Sequence, residues 1–390
     1  WWRRSWHLPH YPGVDAYIAT VARDVCSAFA RKAYSRGGKV YPLHIGDTYL
    51  EPAVGCRMQD ITVQQHPGMH RYAPVRGVGE LLEAVAHRVA RRSGVPTRVD
   101  DILVTAGATG GLGAVVGALL EPGDEVLILA PHWPLIAGIV RSFHGTATAV
   151  PFIDRVDSPE AAVAAVDAYR SERTVALYLN TPNNPTGRVL PRPWLEALAR
   201  WAQTQSLWLL ADDVYEDYVY AGEHTYMRAL APERTFAVHS FSKAYGMAGN
   251  RVGYVAAPAG CVEHVRKVST HTYYSTPTAS QLAALNALGG PGDQWVEEVK
   301  PAYAHAGKQA AERLGTAPPE GSTFLFVDVT AALDARGLEG LLADCADAGL
   351  LVAPGPVFGP YPNHVRLCFT SAPPEDVAAG VEVLARRLGR

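Results

Sequence analysis

Short apolar runs and helix-like stretches alternate along the middle of the chain, between positions 101 and 257. Segments such as 161–169 and 193–203 are rich in alanine, and their apolar residues recur at the spacing of an amphipathic helix. This alternation is typical of a largely parallel sheet with helices packed on its faces. It predicts an α/β fold whose mostly parallel sheet has seven strands, at 102–105, 125–130, 147–152, 175–180, 207–211, 235–240 and 251–255.

Glycine and proline interrupt the chain at 289–292, and a helix-like stretch, one strand-like run at 323–328 and further helix follow. Single hydrophobic cores stop growing near roughly 250 to 300 residues, so a chain of 390 residues predicts two domains. We expect an N-terminal arm and part of a small domain at 1–44, a large domain at 45–288 and a C-terminal small domain at 289–390.

Composition then excludes several classes of protein. An apolar share of 48% and a charged share of 19% predict a well-buried globular chain, and a net charge of −3 gives no general attraction to nucleic acid or membrane. The five cysteines are scattered without a C-x-x-C pair, which predicts neither a disulfide framework nor a metal site and favours the cytoplasm. No apolar run reaches the roughly 18 residues of a membrane span. The first six residues lack the apolar stretch of a secretory signal, and we expect them to pack as an arm.

The candidate chemistry lies where predicted strands end. Only six lysines occur, and Lys243 follows the strand run that ends at Ser240. Asp212 and Tyr215 follow the run at 207–211, and Asn184 lies in a turn after the run at 175–180. Because open α/β sheets collect functional groups at the carboxyl ends of their strands, we expect an amine, a carboxylate, a phenol and an amide to meet there.

A small-residue turn follows the first strand run, in Gly107-Ala108-Thr109-Gly110-Gly111. Backbone N–H groups at such a helix start can bind an anion such as a phosphate. With Gly113, these glycines also have the G-x-x-x-G-x-G spacing of short-chain dehydrogenases, so a dinucleotide is an alternative ligand. Two features count against it: the turn lies far from the N-terminus, and none of the lysines completes a Tyr-x-x-x-Lys pair.

Over nearly its whole length the chain resembles the fold type I pyridoxal-phosphate enzymes, and within them the class I/II aminotransferases of the aspartate aminotransferase superfamily. The resemblance implies a three-layer α/β/α large domain and a smaller α+β domain. The matching residues occur in the family's order: Ile45-Gly46-Asp47, Tyr72, Gly77, the Gly107 turn, Trp133, Asn184-Pro185-Thr186-Gly187, Asp212, Tyr215, Ser240, Lys243, Arg251 and Arg366.

The resemblance implies that Lys243 holds pyridoxal 5′-phosphate as a Schiff base and later moves a proton at the substrate Cα. Asp212 would pair with the pyridine nitrogen of the cofactor, although the adjacent Asp213 remains an alternative for this role. Tyr215 and Asn184 would hydrogen-bond the phenolic oxygen of the cofactor, and Trp133 would stack on its ring, unless that tryptophan only fills the core.

The remaining site residues follow from the same resemblance. The phosphate would bind at Gly107, Ala108 and Thr109, with Ser240 and Arg251 beside it. Tyr72 would reach the phosphate of a neighbouring subunit, so the resemblance implies a homodimer with shared active sites. Arg366 would grip the substrate α-carboxylate, with Gly46 N–H as its partner and Asn184 close by.

The sequence therefore predicts a cytoplasmic aminotransferase that moves the amino group of an L-amino acid to a 2-oxo acid by a ping-pong mechanism. A cyclase, lyase or decarboxylase on the same fold is the nearest alternative, because these enzymes also begin by labilising a Cα bond. A non-catalytic ligand sensor and a dinucleotide oxidoreductase are weaker alternatives. Neither a metal nor a nucleic acid is expected, and the residue that recognises the substrate side chain is not assigned.

Overall fold

A computed structural model describes residues 27–390 of the protein. The predicted N-terminal arm from Trp1 to Trp6, and Cys26 with it, lie outside the described residues. The other cysteines are Cys56, Cys261, Cys345 and Cys368, and all four are free thiols. Within the described range, no helix combines the length and the apolar character that crossing a membrane requires.

The structure alternates helices and strands along the described chain. The strands, in chain order, are β1 (Tyr41–Pro42), β2 (Ile102–Thr105), β3 (Glu125–Ala130), β4 (Thr146–Pro151), β5 (Thr174–Asn180), β6 (Trp208–Asp212), β7 (Thr235–Ser240), β8 (Gly253–Ala256), β9 (Phe324–Asp328), β10 (Leu350–Leu351), β11 (Ala353–Pro354) and β12 (His364–Cys368). The α-helices are α1 (Ser27–Ser35), α2 (Gly79–Ser93), α3 (Gly107–Leu119), α4 (Leu135–Ser142), α5 (Pro159–Asp167), α6 (Arg192–Thr204), α7 (Met227–Leu230), α8 (Phe241–Ala244), α9 (Val262–Thr272), α10 (Thr278–Leu288), α11 (Pro291–Leu314), α12 (Gly337–Asp347) and α13 (Pro374–Arg387).

The large sheet has seven strands in the order β2-β8-β7-β6-β5-β3-β4. Every pairing within it is parallel except those of β8, which runs antiparallel to both β2 and β7. The predicted mostly parallel seven-stranded sheet is therefore confirmed, and the strand bounds differ from the predicted ones by at most two residues. The apolar runs could not show that β8 is reversed, because a fully buried strand has the same composition in either direction.

Both faces of this sheet are covered by helices. One face packs mainly against α3, α4 and α9, and we call it the front face. The opposite face, which we call the rear face, packs against α5, α6, α7 and, towards β8, α2. Helix α6 illustrates the cause, since Leu195, Leu198 and Ala202 recur at helical spacing and are all buried on the rear face. Burial of both faces stabilises the sheet. The helices do not cover the carboxyl ends of the strands, where polar groups can therefore lie.

The C-terminal part builds a second, smaller sheet in the order β11-β12-β9, with antiparallel pairings. The N-terminal strand β1 pairs in parallel with β10, so residues near position 41 join this part of the molecule. The sequence pattern predicts β9 but not β10, β11 or β12. Two of these strands are only two residues long and the third carries Arg366 in its centre, so none shows an apolar run or a clear alternation.

Truncating Leu209 in the central strand tests the packing of the rear face. Leu209 is fully buried on β6 and belongs to the same apolar cluster as α6. We expect Leu209→Ala to lower the free energy of unfolding by about 2 to 5 kcal/mol, because it leaves a cavity. Leu135→Ala is the matched control, since Leu135 is 54% exposed. Equal losses in the two variants, measured by urea denaturation, would contradict the assigned core.

Candidate active site

One cavity opens at the carboxyl ends of the parallel strands. Nine of the residues singled out from the sequence line it: Ala108, Thr109, Trp133, Asn184, Asp212, Tyr215, Ser240, Lys243 and Arg251. They come from the ends of β5, β6 and β7, from the start of α3 and from the loops that follow β3 and precede β8. Residues up to 143 positions apart, from Ala108 to Arg251, thus meet around one space.

Asp212 ends the central strand β6 and is 3% exposed. Its Oδ2 accepts a hydrogen bond of 2.6 Å from the Tyr178 hydroxyl, while its Oδ1 has no hydrogen-bond partner among the described residues. Burial raises the pKa of Asp212 from 3.8 to about 7. A buried carboxylate oxygen without a partner is costly, so it marks the position where a positively charged N–H group of a ligand would be stabilised. Asp213 does not line the cavity.

Two polar residues that the sequence pattern did not single out hold the end of β5 against Asp212. Tyr178 and Asn180 are buried, and Asn180 is aligned with Asp212 in the pairing of β5 with β6. The Asn180 side chain donates to the Asp212 carbonyl at 2.8 Å and accepts from the Asn184 backbone N–H at 2.7 Å. The sequence contained a signal for these two residues. They carry polar groups in an otherwise apolar strand, and because they are two positions apart they lie on the same face of it.

Lys243 lies in the short helix α8, directly after β7. Ser240 is the N-cap of this helix, and its side-chain oxygen accepts a hydrogen bond of 3.0 Å from the Ser242 N–H. The Lys243 amine donates to the Gly46 carbonyl oxygen, which brings the N-terminal loop to the cavity. Burial lowers the pKa of Lys243, and the cations Arg366 and Arg251 act in the same direction. A lysine in such surroundings is more readily deprotonated, as an amine nucleophile or base must be.

The start of α3 and Arg251 form an anion cradle. Gly107 has a φ of 71°, and a Cβ added to it would lie 2.5 Å from the Arg251 guanidinium. A Cβ on Gly253 would lie 2.9 Å from the Ala108 backbone nitrogen, so both glycines are required for this close approach. The N-terminus of the 13-residue helix α3, at Ala108 and Thr109, thus lines the cavity beside a guanidinium. This combination suits a phosphate group.

Arg366 lies on β12 and reaches the large sheet from the small one. Its guanidinium donates to the Asn184 side-chain oxygen at 3.0 Å and to the His44 carbonyl at 2.6 Å. The same group lies 4.3 Å from the ring centre of Phe324, a contact that favours a cation. Arg366 is 7% exposed, so its position is fixed from several sides. A carboxylate of a small ligand is the natural further partner for such a held guanidinium.

Tyr215 and Gly46 complete the link between the two sheets. Tyr215 is buried, its ring meets Phe324 edge to face at 5.7 Å between ring centres, and Asn184 hydrogen-bonds its hydroxyl. Burial raises the pKa of Tyr215, so the phenol is a neutral hydrogen-bond donor at neutral pH. A Cβ on Gly46 would lie 2.6 Å from the Phe324 ring, so a glycine is needed where this loop passes the site.

Tyr72 is the one predicted site residue far from the cavity of its own chain. It is 86% exposed, and its ring contacts Tyr274 edge to face at 4.9 Å between ring centres. The structure therefore brings together the other predicted residues and leaves Tyr72 at the surface. Its predicted contact with a neighbouring subunit stays a prediction.

Comparison with known proteins agrees with this arrangement. The family model for aminotransferase class I and II matches residues 40–384. The chain belongs to this family. It is 34% identical over 335 residues to the aspartate/prephenate aminotransferase of Thermus thermophilus, covering 83% of this chain and 84% of that protein. It is also 32% identical over 349 residues to the arginine–pyruvate transaminase of Pseudomonas aeruginosa, covering 85% and 86% respectively.

Solved structures of the family share the fold. The aspartate aminotransferase of Thermus thermophilus with maleate matches with a TM-score of 0.87 at 30% identity, over 97% of this chain and 100% of that chain. The aspartate aminotransferase of Thermotoga maritima matches with a TM-score of 0.85 at 28% identity, over 97% of this chain and 100% of that chain. The predicted family, fold type and enzyme class are thus confirmed: the protein is an aminotransferase with the fold type I architecture.

Replacing Asp212 tests whether its burial costs stability. The pKa of Asp212 is higher in the folded than in the unfolded chain, rising from 3.8 to about 7, so the folded state binds the extra proton between these values. The stability that depends on Asp212 therefore falls as the pH rises through this window. We expect Asp212→Asn to raise the unfolding temperature of the ligand-free protein at pH 8.5, and to raise it less at pH 5.5. A lower unfolding temperature of the variant at pH 8.5 would contradict this explanation.

Proposed function

We propose that the protein binds pyridoxal 5′-phosphate in this cavity and transfers the amino group of an L-amino acid to a 2-oxo acid. The observation that carries the proposal is the convergence of three groups on one space: the Lys243 amine, the partnerless Asp212 Oδ1 and the anion cradle at Gly107 and Arg251. These groups fit the aldehyde, the ring nitrogen and the phosphate of pyridoxal phosphate, respectively. The family model supports the same cofactor, because class I and II aminotransferases depend on it.

The residues around the cavity would have different roles in the reaction. Bound pyridoxal phosphate supplies a ring that accepts the electron pair released when a bond to the substrate Cα breaks. Asp212 would stabilise a positive charge on the ring nitrogen, which would make the ring a better electron acceptor. Lys243, whose pKa is lowered by burial, can take a proton from the substrate Cα and return it elsewhere. Asn184, Tyr215 and Trp133 all line the cavity. Asn184 and Tyr215 would hydrogen-bond the ring oxygen, and Trp133 would stack on the ring.

Arg366 is the proposed anchor of the α-carboxylate that every amino-acid and 2-oxo-acid substrate shares. Its bonds to Asn184 and to the His44 carbonyl join the small sheet to the large one at the cavity. Binding of a carboxylate there would draw these parts together and exclude water from the reacting atoms. The relatives' names include aspartate, prephenate and arginine, so we propose the common core of these substrates and not a particular side chain.

We also propose that the protein acts as a homodimer in which Tyr72 completes the phosphate site of the partner. Tyr72 and its neighbour Tyr274 are exposed aromatic residues, as are the apolar residues Val54 and Val63 on the same N-terminal segment. Exposed apolar groups of this kind are typical of surfaces that a second subunit covers. A cytoplasmic location remains a prediction, in keeping with the four free cysteines that the structure describes.

Substituting Lys243 tests the proposed catalytic group. We expect Lys243→Ala to lower kcat for transamination by on the order of 1,000-fold, because no other base replaces the amine at the Cα. Lys267→Ala is the matched control, since this exposed lysine of α9 lies outside the cavity and should leave kcat within about twofold of the wild type. Activity is measured as oxo acid formed from a panel of L-amino acids with a 2-oxo acid acceptor. Retention of more than a tenth of the activity in Lys243→Ala would refute the assignment.

Substituting Arg366 tests the carboxylate anchor. Lysine keeps the charge but cannot form the two-pronged contact of a guanidinium with a carboxylate. We expect Arg366→Lys to raise KM for amino acids by about 10- to 100-fold, which corresponds to about 1.4 to 3 kcal/mol of lost binding. Reaction with an amine that lacks the α-carboxylate should change little between the two enzymes. An equal loss with both kinds of substrate would show that Arg366 only supports the fold.

A further inference from the structure

A buried cluster of charged side chains lies on the rear face of the large sheet, directly behind the active site. Asp212 is aligned with Val238 in the pairing of β6 with β7, so the next residues, Asp213 and His239, lie side by side on the opposite face. Glu216 completes the group from the loop after β6. The side chains of Asp213, Glu216 and His239 are only 1%, 6% and 4% exposed. We call these three residues the rear cluster.

Both ring nitrogens of His239 face carboxylates. Nδ1 lies 3.0 Å from Glu216 Oε1, and Nε2 lies 3.9 Å from Asp213 Oδ2. A neutral imidazole has only one N–H, so its other nitrogen would turn a lone pair toward a buried negative charge. The imidazolium form turns an N–H to each side. The geometry therefore favours a positively charged His239 between two carboxylates.

Other charged and titratable groups also face the rear cluster. Arg92 of α2 pairs with Glu216 at 3.0 Å, and His224 Nε2 lies 3.2 Å from Asp213 Oδ1. The side chains of Tyr226, Arg228 and Tyr254 border the same small internal cavity as His239, and the Tyr254 ring stacks on the imidazole at 4.6 Å. Burial and Arg92 lower the pKa of His239, but Glu216 and Asp213 outweigh them, and the pKa is raised above its ordinary value of 6.5.

The rear cluster is joined to the active site along the chain, because Asp213 directly follows Asp212. The negative charge of Asp213 raises the pKa of Asp212, whereas the positive charge of His239 lowers it. We propose that His239 is a positioning residue for the aminotransferase reaction, whose positive charge offsets Asp213 and keeps the Asp212 carboxylate ionised toward the cofactor cavity. This inference rests on the proposed function, in which Asp212 pairs with the ring nitrogen of pyridoxal phosphate.

The test compares three variants as ligand-free proteins: His239→Asn, Asp213→Asn and the double variant. Each is titrated with pyridoxal phosphate between pH 6 and pH 9, and the dissociation constant is measured by quenching of tryptophan fluorescence. We define the midpoint as the pH at which half of the Asp212-dependent affinity is reached. Loss of the His239 charge should raise this midpoint by about one pH unit and weaken binding at pH 7 by about tenfold. Asp213→Asn should move the same midpoint downward, and the double variant should lie within about threefold of the wild type.

The pattern across the variants separates an electrostatic role from a structural one. A structural role of His239 would weaken binding by a similar factor at every pH without moving the midpoint, and the double variant would then bind as weakly as His239→Asn; either result would overturn the proposal. An unchanged midpoint in His239→Asn would overturn it as well. If His239→Asn does not fold, as judged by circular dichroism, Asp213→Asn alone tests the proposal. Absence of the expected downward shift of its midpoint would then overturn it. Failure of the wild type to bind pyridoxal phosphate would instead refute the proposed function, and this inference with it.

Discussion

A carboxylate buried at the end of the central strand is the constraint on which the rest of the site depends. Asp212 is held by Tyr178 on one oxygen, and its other oxygen is left without a partner among the described residues. Such a group costs folding free energy unless a cation pairs with it. We propose that the protein tolerates this cost because the ring nitrogen of the cofactor is that cation. Lys243 and the anion cradle, which border the same cavity, would then fix the position of the rest of the cofactor.

The two faces of the large sheet carry different groups: one face carries the residues of the cavity, and the other carries the rear cluster. Successive residues of a strand point to opposite faces, so Asp212 faces the cavity while Asp213 faces the rear cluster with His239. In the proposed function the front positions contact the ligand, and the charges at the rear positions contribute to the electrostatic potential at the front positions. The small sheet contributes a third element, because Arg366 on β12 reaches across to Asn184. A substrate carboxylate bound by Arg366 would thus contact residues held by both sheets at once.

Much of the fold and of the site could be predicted from the sequence, for physical reasons that differ between residues. Buried parallel strands form continuous apolar runs, so the seven strands of the large sheet were found, and the groups at their ends, such as Lys243 and Asp212, followed from the rule for open sheets. The strands β10 and β11 were missed because two residues give no pattern, and β12 was missed because Arg366 interrupts its apolar residues. His239 was missed because its role depends on strand register, which sets the partner across the sheet and is not visible in one strand alone.

Reduction of the protein with borohydride in the presence of pyridoxal phosphate tests the assignment of the cofactor site most directly, because it makes the bond between a lysine and the cofactor permanent. Protease digestion and mass spectrometry then identify the labelled peptide. We predict that the phosphopyridoxyl group is found on the peptide that contains Lys243, and that Asp212→Asn protein is labelled less at the same cofactor concentration. Label on Lys267 or another exposed lysine in place of Lys243, or none at all, would contradict the assignment of the cavity as the cofactor site.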